Sequence, residues 1–131
     1  VLAAGAKLLV RERLLTHGDQ VAESTYDVEL NGDGSSADVV SRSVAKDHSK
    51  QIFKSNLIGN AKCSGHTECD AIIMDHAKIQ AVPELTANDI DAALIHEAAI
   101  GKIAGEQLIK LMTLGLTEAE AEAQIVNGFL K

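Results

Sequence analysis

Aromatic residues are nearly missing from this 131-residue chain: one Tyr, two Phe and no Trp, 2% of the total. A core must then be built from Ile, Leu, Val and Ala, and the stacking platforms that hold single-stranded nucleic acid are absent. Positive charge is scarce too. Twelve Lys and Arg stand against nineteen Asp and Glu, a formal charge of −7, the wrong sign for phosphate backbones or anionic lipid. Neither nucleic acid nor a membrane surface is an expected partner. No apolar run approaches the ~20 residues that cross a bilayer, and Val1-Leu2-Ala3-Ala4 is interrupted by Gly5 and Lys7 before it can serve as a leader. The expected compartment is the cytoplasm, where Cys63 and Cys69, the only cysteines, stay reduced. They are too few for a disulfide scaffold, and their separation misses the usual zinc-ribbon spacing.

What is present has an ordinary globular balance, 46% hydrophobic and 24% charged, at a length that supports one core. From Ala6 to about Ala99 the apolar residues follow a period near two, as in Tyr26-Asp27-Val28-Glu29-Leu30 and Lys78-Ile79-Gln80-Ala81-Val82. Turn signals at Gly18-Asp19, Asn31-Gly32-Asp33-Gly34, Lys46-Asp47-His48, Gly59-Asn60, Asp75-His76 and Asn88-Asp89 recur roughly every fourteen residues. A β-sandwich is the generic reading of short strands so punctuated. The even spacing favours a solenoid, whose narrow interior suits small aliphatics such as Ala71, Ile73, Ala81 and Ala93. The repeat is read as one of spacing, not of motif.

After Ala99 the pattern changes. Ile103, Gln107, Leu108, Leu111 and Met112 fall at helical spacing, with Gly115 where a C-terminal cap belongs. Thr117-Glu118-Ala119-Glu120 forms a capping box for a second helix reaching about Leu130. Its apolar face, Ala121, Ile125 and Phe129 with Val126, is expected to pack on the first helix. The chain thus divides into a β body over residues 1–100 and a helical hairpin over 101–131. A solenoid cut at Val1 would expose strand edges and a coil interior, so the polypeptide is expected to extend before Val1.

Several residues carry chemistry. Cys63-x-x-His66-x-x-Cys69, with His76 nearby, contains the ligand types of zinc and of iron–sulfur iron. In an extended segment the two cysteines share one face and His66 points to the other, which leaves inert buried thiols and solvent-facing histidines as the competing reading. His96-Glu97 is not half of a zinc protease motif, because Ile100 stands where the second histidine belongs, and Gly101-Lys102-Ile103-Ala104-Gly105 lacks the phosphate-loop pattern. No nucleophile elbow or dinucleotide fingerprint occurs.

From Ser41 to Leu130 the chain resembles the C-terminal part of the SufB/SufD family, scaffolds of the Suf iron–sulfur cluster assembly system. The resemblance rests on Ser41-Arg42-Ser43-Val44, Gly65-His66-Thr67-Glu68-Cys69-Asp70, Val82-Pro83-Glu84-Leu85, His96-Glu97-Ala98-Ala99-Ile100-Gly101-Lys102-Ile103, Glu106-Gln107-Leu108 and Leu114-Gly115-Leu116. It implies a mainly β fold, a right-handed β-helix fragment followed by a two-helix hairpin. It implies a scaffold rather than an enzyme, a SufC-type ABC ATPase as one partner, and pairing with a SufB- or SufD-type subunit, or with itself as a homodimer, through the β-helix ends. The position of Cys69 marks the SufB type and is associated with a transient, nascent iron–sulfur cluster at the subunit interface. That of His96 is brought to the interface by the SufD type, and that of Glu97 belongs to the SufB type. Cys69, His96 and Glu97 are therefore the expected cluster-binding set, with Cys69 and His96 as the metal ligands. Ile95 departs from chains that offer another acid there, and strand alternation should turn 96 and 97 to opposite faces. The competing function is a β-solenoid interaction module that no longer builds clusters.

Overall fold

The computed structural model describes residues 1–131. Seven strands precede two helices: β1 (Lys7–Thr16), β2 (Val21–Leu30), β3 (Ser35–Ala45), β4 (Lys50–Gly59), β5 (Cys63–Ile73), β6 (Lys78–Ala87), β7 (Ala92–Gly101), α1 (Gly105–Thr113) and α2 (Glu118–Phe129). Odd and even strands form separate parallel sheets, β1-β3-β5-β7 and β2-β4-β6. The chain is a β-solenoid of three two-strand coils and the first strand of a fourth. Each coil advances 28 or 29 residues: Lys7 pairs with Ser36, and Ser35 with Cys63.

The turns explain why the coils stack in register. Asn60 donates to the Asn31 side-chain oxygen at 2.6 Å, and Asn88 donates to that of Asn60 at 2.7 Å, so one corner carries an amide ladder. The opposite corner needs a left-handed residue, and Gly18, Asp47 and Asp75 each supply it at φ 58°, Asp being among the few side chains that tolerate this conformation. There the Asp47 carboxylate accepts from the Gly18 amide at 2.7 Å, and that of Asp75 from the Asp47 amide at 3.1 Å. His48 and His76 stack beside them with ring centroids 5.1 Å apart. The repeat is thus one of motif as well as spacing.

Between the sheets, Val28, Leu30, Ala37, Leu57 and Cys63 form one buried cluster, and Val39, Phe53 and Cys69 another. Ile79 and Ala81 are half-buried as the alternation requires, but Ala93 faces outward, and it is Ala92 that packs against the core. A one-residue shift in parity reverses a strand's faces, and the run of small residues in β7 did not specify that parity. Gly65 sits where a side chain would collide: an added Cβ would lie 2.9 Å from methyls of both Leu57 and Leu94 and 3.2 Å from one of Leu30.

The helices follow their sequence signals. Thr117 accepts from the Glu120 amide while the Glu120 carboxylate accepts from that of Thr117, completing the capping box. Gly115 follows α1 at φ 98°. Helix α2 buries Ala121 and Val126, and Phe129 lies against the Arg42 guanidinium on β3, 6.0 Å from ring centroid to carbon. Helix α1 buries no residue and exposes Ile109 and Met112, and Leu114 just after it is exposed too. Neither helix is long and apolar enough to cross a membrane.

Overpacking a close-fitted interior costs about 1–3 kcal/mol. Gly65→Val is expected to lower unfolding stability by that amount in urea denaturation. A variant as stable as the parent would mean that the three leucines do not converge there.

Candidate functional site

Alternation along β5 sends Cys63, Gly65, Thr67, Cys69 and Ala71 inward and Ser64, His66, Glu68 and Asp70 outward. The parallel register then sets the partners on β7: Thr67 pairs with His96, Glu68 with Glu97 and Cys69 with Ala98. His96 therefore shares the inner face with Cys69, one diagonal step away on the adjoining strand. Glu97 faces the other way. Of the three residues expected to act together, the structure gathers two inside the solenoid and places the third on its outer surface.

The two inner residues differ in exposure. Cys69 is 1% exposed and packs with Val39 and Phe53. Burial pushes its thiol up to about 11, with smaller repulsions from Asp70 and Glu12, so the thiolate is disfavoured while the site stays closed. His96 is half-buried, and burial lowers its pKa, helped by repulsion from His66 and opposed by Glu97. Its Nδ1 lies 2.7 Å from the Thr67 hydroxyl. This contact supplies the hydrogen-bond partner that a desolvated imidazole requires. A hydroxyl both donates and accepts, so Thr67 leaves either neutral tautomer open and the other ring nitrogen can serve as a ligand. Cys63 is also buried, in the cluster with Leu57 and Ala37.

The outer surface holds a cluster that sequence reasoning missed. His66 Nδ1 lies 2.7 Å from an Asp38 carboxylate oxygen, and its Nε2 lies 3.0 Å from Glu97 and 3.9 Å from Glu68. Arg11 pairs with the second oxygen of Asp38 at 2.6 Å. Hydrogen bonds accepted from the His66 ring by Asp38 and then by Glu97 raise the His66 pKa. The His66 hydrogen bond, with Arg11, lowers that of Asp38. Glu68 is pushed up, first by a hydrogen bond with Asp70, then by burial and by repulsion from Asp70 and Glu97. The signal was in the repeat: Asp38 and His66 are 28 residues apart and Glu68 and Glu97 are 29 apart, the two coil lengths.

The structure is a parallel β-solenoid that carries a buried thiol, Cys69, and an imidazole, His96, on inner positions of neighbouring strands. A family model described as "SUF system FeS cluster assembly, SufBD core domain" matches residues 1–129. An iron–sulfur cluster assembly SufBD family protein of Methanothermobacter thermautotrophicus is 44% identical over 114 residues, 86% of this chain and 28% of that protein. One of Archaeoglobus fulgidus is 40% identical across 85% of this chain and 30% of its own length. One of Staphylococcus epidermidis is 29% identical across the whole chain and 29% of its own length. The chain belongs to the SufBD family. It spans less than a third of the length of these relatives.

The two histidines respond to pH with opposite sign. His66 has a raised folded pKa, so its stabilisation is full below its ordinary value of 6.5 and is lost as pH rises through the raised value. His96 has a lowered one, so its stabilisation is present above 6.5 and is lost as pH falls through the depressed value. In urea titrations, His66→Ala is expected to cost more stability at about pH 5.5 than at about pH 8, and His96→Ala the reverse. The same trend in both variants would contradict the two environments.

Proposed function

We propose that this chain is part of a non-enzymatic scaffold of the Suf-type system, in which Cys69 and His96 offer ligands to a nascent iron–sulfur cluster carried as cargo. The observation that carries this reading is the placement of both residues on the inner faces of paired strands β5 and β7, beside the sheet edge. Thiolate and imidazole both bind iron, and a mixed set releases a cluster more readily than four cysteines would. The raised thiol pKa means that Cys69 becomes a ligand only once its surroundings open and its proton is displaced.

Strand β7 supports the pairing part of the reading. It is an edge strand with unpaired backbone groups along one side and an exposed Ile95, a surface suited to pairing with another strand. Two SufB- or SufD-type subunits, or two copies of this chain, joined there about a two-fold axis would bring two Cys–His pairs together. The bare apolar face of α1 suits a SufC-type ATPase. Such an assembly works with reduced cysteines in the cytoplasm, and both thiols here are free.

Anaerobic reconstitution with iron and sulfide tests the scaffold. The parent is expected to gain cluster absorbance and acid-labile sulfide, and Cys69→Ser and His96→Ala to lose most of both while keeping their β-sheet circular dichroism. If both variants take up iron and sulfide as the parent does, the chain is an interaction module that does not build clusters. Ile109→Asp on α1 is expected to weaken co-purification with the cognate ATPase about tenfold or more; unchanged recovery would remove that docking surface.

A further inference from the structure

We propose that the outer surface of the β5–β7 pair binds a single divalent first-row transition metal ion through His66 Nε2 and the carboxylates of Glu68 and Glu97, with Asp38 orienting the imidazole. The inference goes beyond the inner Cys69–His96 reading and does not depend on it.

The donors already converge. One ligand atom from each of His66, Glu68 and Glu97 lies within 4.8 Å of the other two, and neighbouring donors around an ion at about 2.0–2.2 Å stand roughly 3–3.5 Å apart. The Nε2 contacts of 3.0 and 3.9 Å bracket that spacing, so small side-chain rotations close the set. The backbone holds the three in place: His66 and Glu68 are alternate residues of one strand, and Glu97 is the ladder partner of Glu68.

The support behind the imidazole is also built. A carboxylate on the far ring nitrogen fixes the tautomer of a metal-binding histidine and raises its basicity. Asp38 holds that position at 2.7 Å from Nδ1 and is itself held by Arg11 at 2.6 Å. With Nδ1–H directed at Asp38, the Nε2 lone pair of the neutral ring faces Glu97 and Glu68, and a metal ion between them is bound by all three. Glu68 and Asp70 point outward on β5 and Glu97 is the ladder partner of Glu68, and a divalent ion offsets the carboxylate charge gathered there. One imidazole with carboxylates and no thiolate suits borderline ions rather than the soft set that cysteine selects.

The rival is a metal-free ion cluster in which protonated His66 bridges Asp38 and Glu97. A second candidate, the stacked His48–His76 pair, lacks converging acids, because the Asp47 and Asp75 carboxylates are bound to backbone amides. Cobalt(II) is the probe, read by visible absorption and equilibrium dialysis on the intact chain. The parent is expected to bind about one ion with ligand-field bands and no thiolate-to-cobalt charge transfer. His66→Ala and Glu97→Gln should weaken binding more than about tenfold, and Asp38→Asn about 10–100-fold. Cys69→Ser and His76→Ala should leave it unchanged, so a failure of cluster building at the inner pair is distinguishable from a failure here. No cobalt binding by the parent, binding that survives His66→Ala or Glu97→Gln, or loss in Cys69→Ser or His76→Ala would each overturn the site.

Discussion

The in-register stacking of parallel strands is the constraint on which the rest depends. Each residue pairs with one 28 or 29 positions along the chain, and successive side chains alternate between a dry interior and the outer surface. A slip of one position in β5 would drive His66 and Glu68 into the space filled by Leu30, Leu57, Val39 and Phe53, burying charge without a partner. The aliphatic interior therefore fixes parity, and the amide ladder of Asn31, Asn60 and Asn88 fixes the stagger between coils.

Two chemically opposite neighbourhoods arise from that one rule on the same pair of strands. Inside, Cys69 and His96 are desolvated, and both are driven toward their neutral forms. Outside, His66 is held among carboxylates that favour its charged form. The strand backbone that separates them is one sheet thick, yet His66 and Glu97 still influence the titration of His96 through it.

Much of the fold was legible because strands and turns obey local rules. The six turn signals fall at the ends of strands, and the capping box and Gly115 mark the helices as the sequence indicated. Strand alternation alone separated His96 from Glu97 and His66 from the cysteines. Ala93 was misplaced because four small or aliphatic residues in a row carry no parity. The packing of α2 against Arg42 was hidden for a different reason: an apolar helix face does not say which surface it covers. The Asp38–His66–Glu97 cluster lay beyond local reading, since its members come from three strands and meet only once the coil length is known.

The division between inner and outer faces is tested most directly by the reactivity of Cys69 toward iodoacetamide in the native chain, resolved from Cys63 by mass spectrometry. A thiol lifted from 9.0 to about 11 holds roughly 100-fold less thiolate at neutral pH, and burial slows its alkylation further. The structure predicts that native Cys69 reacts at least about 100-fold more slowly than in the urea-unfolded chain. Equal rates in the two states would place Cys69 on the surface and contradict the register from which both neighbourhoods follow.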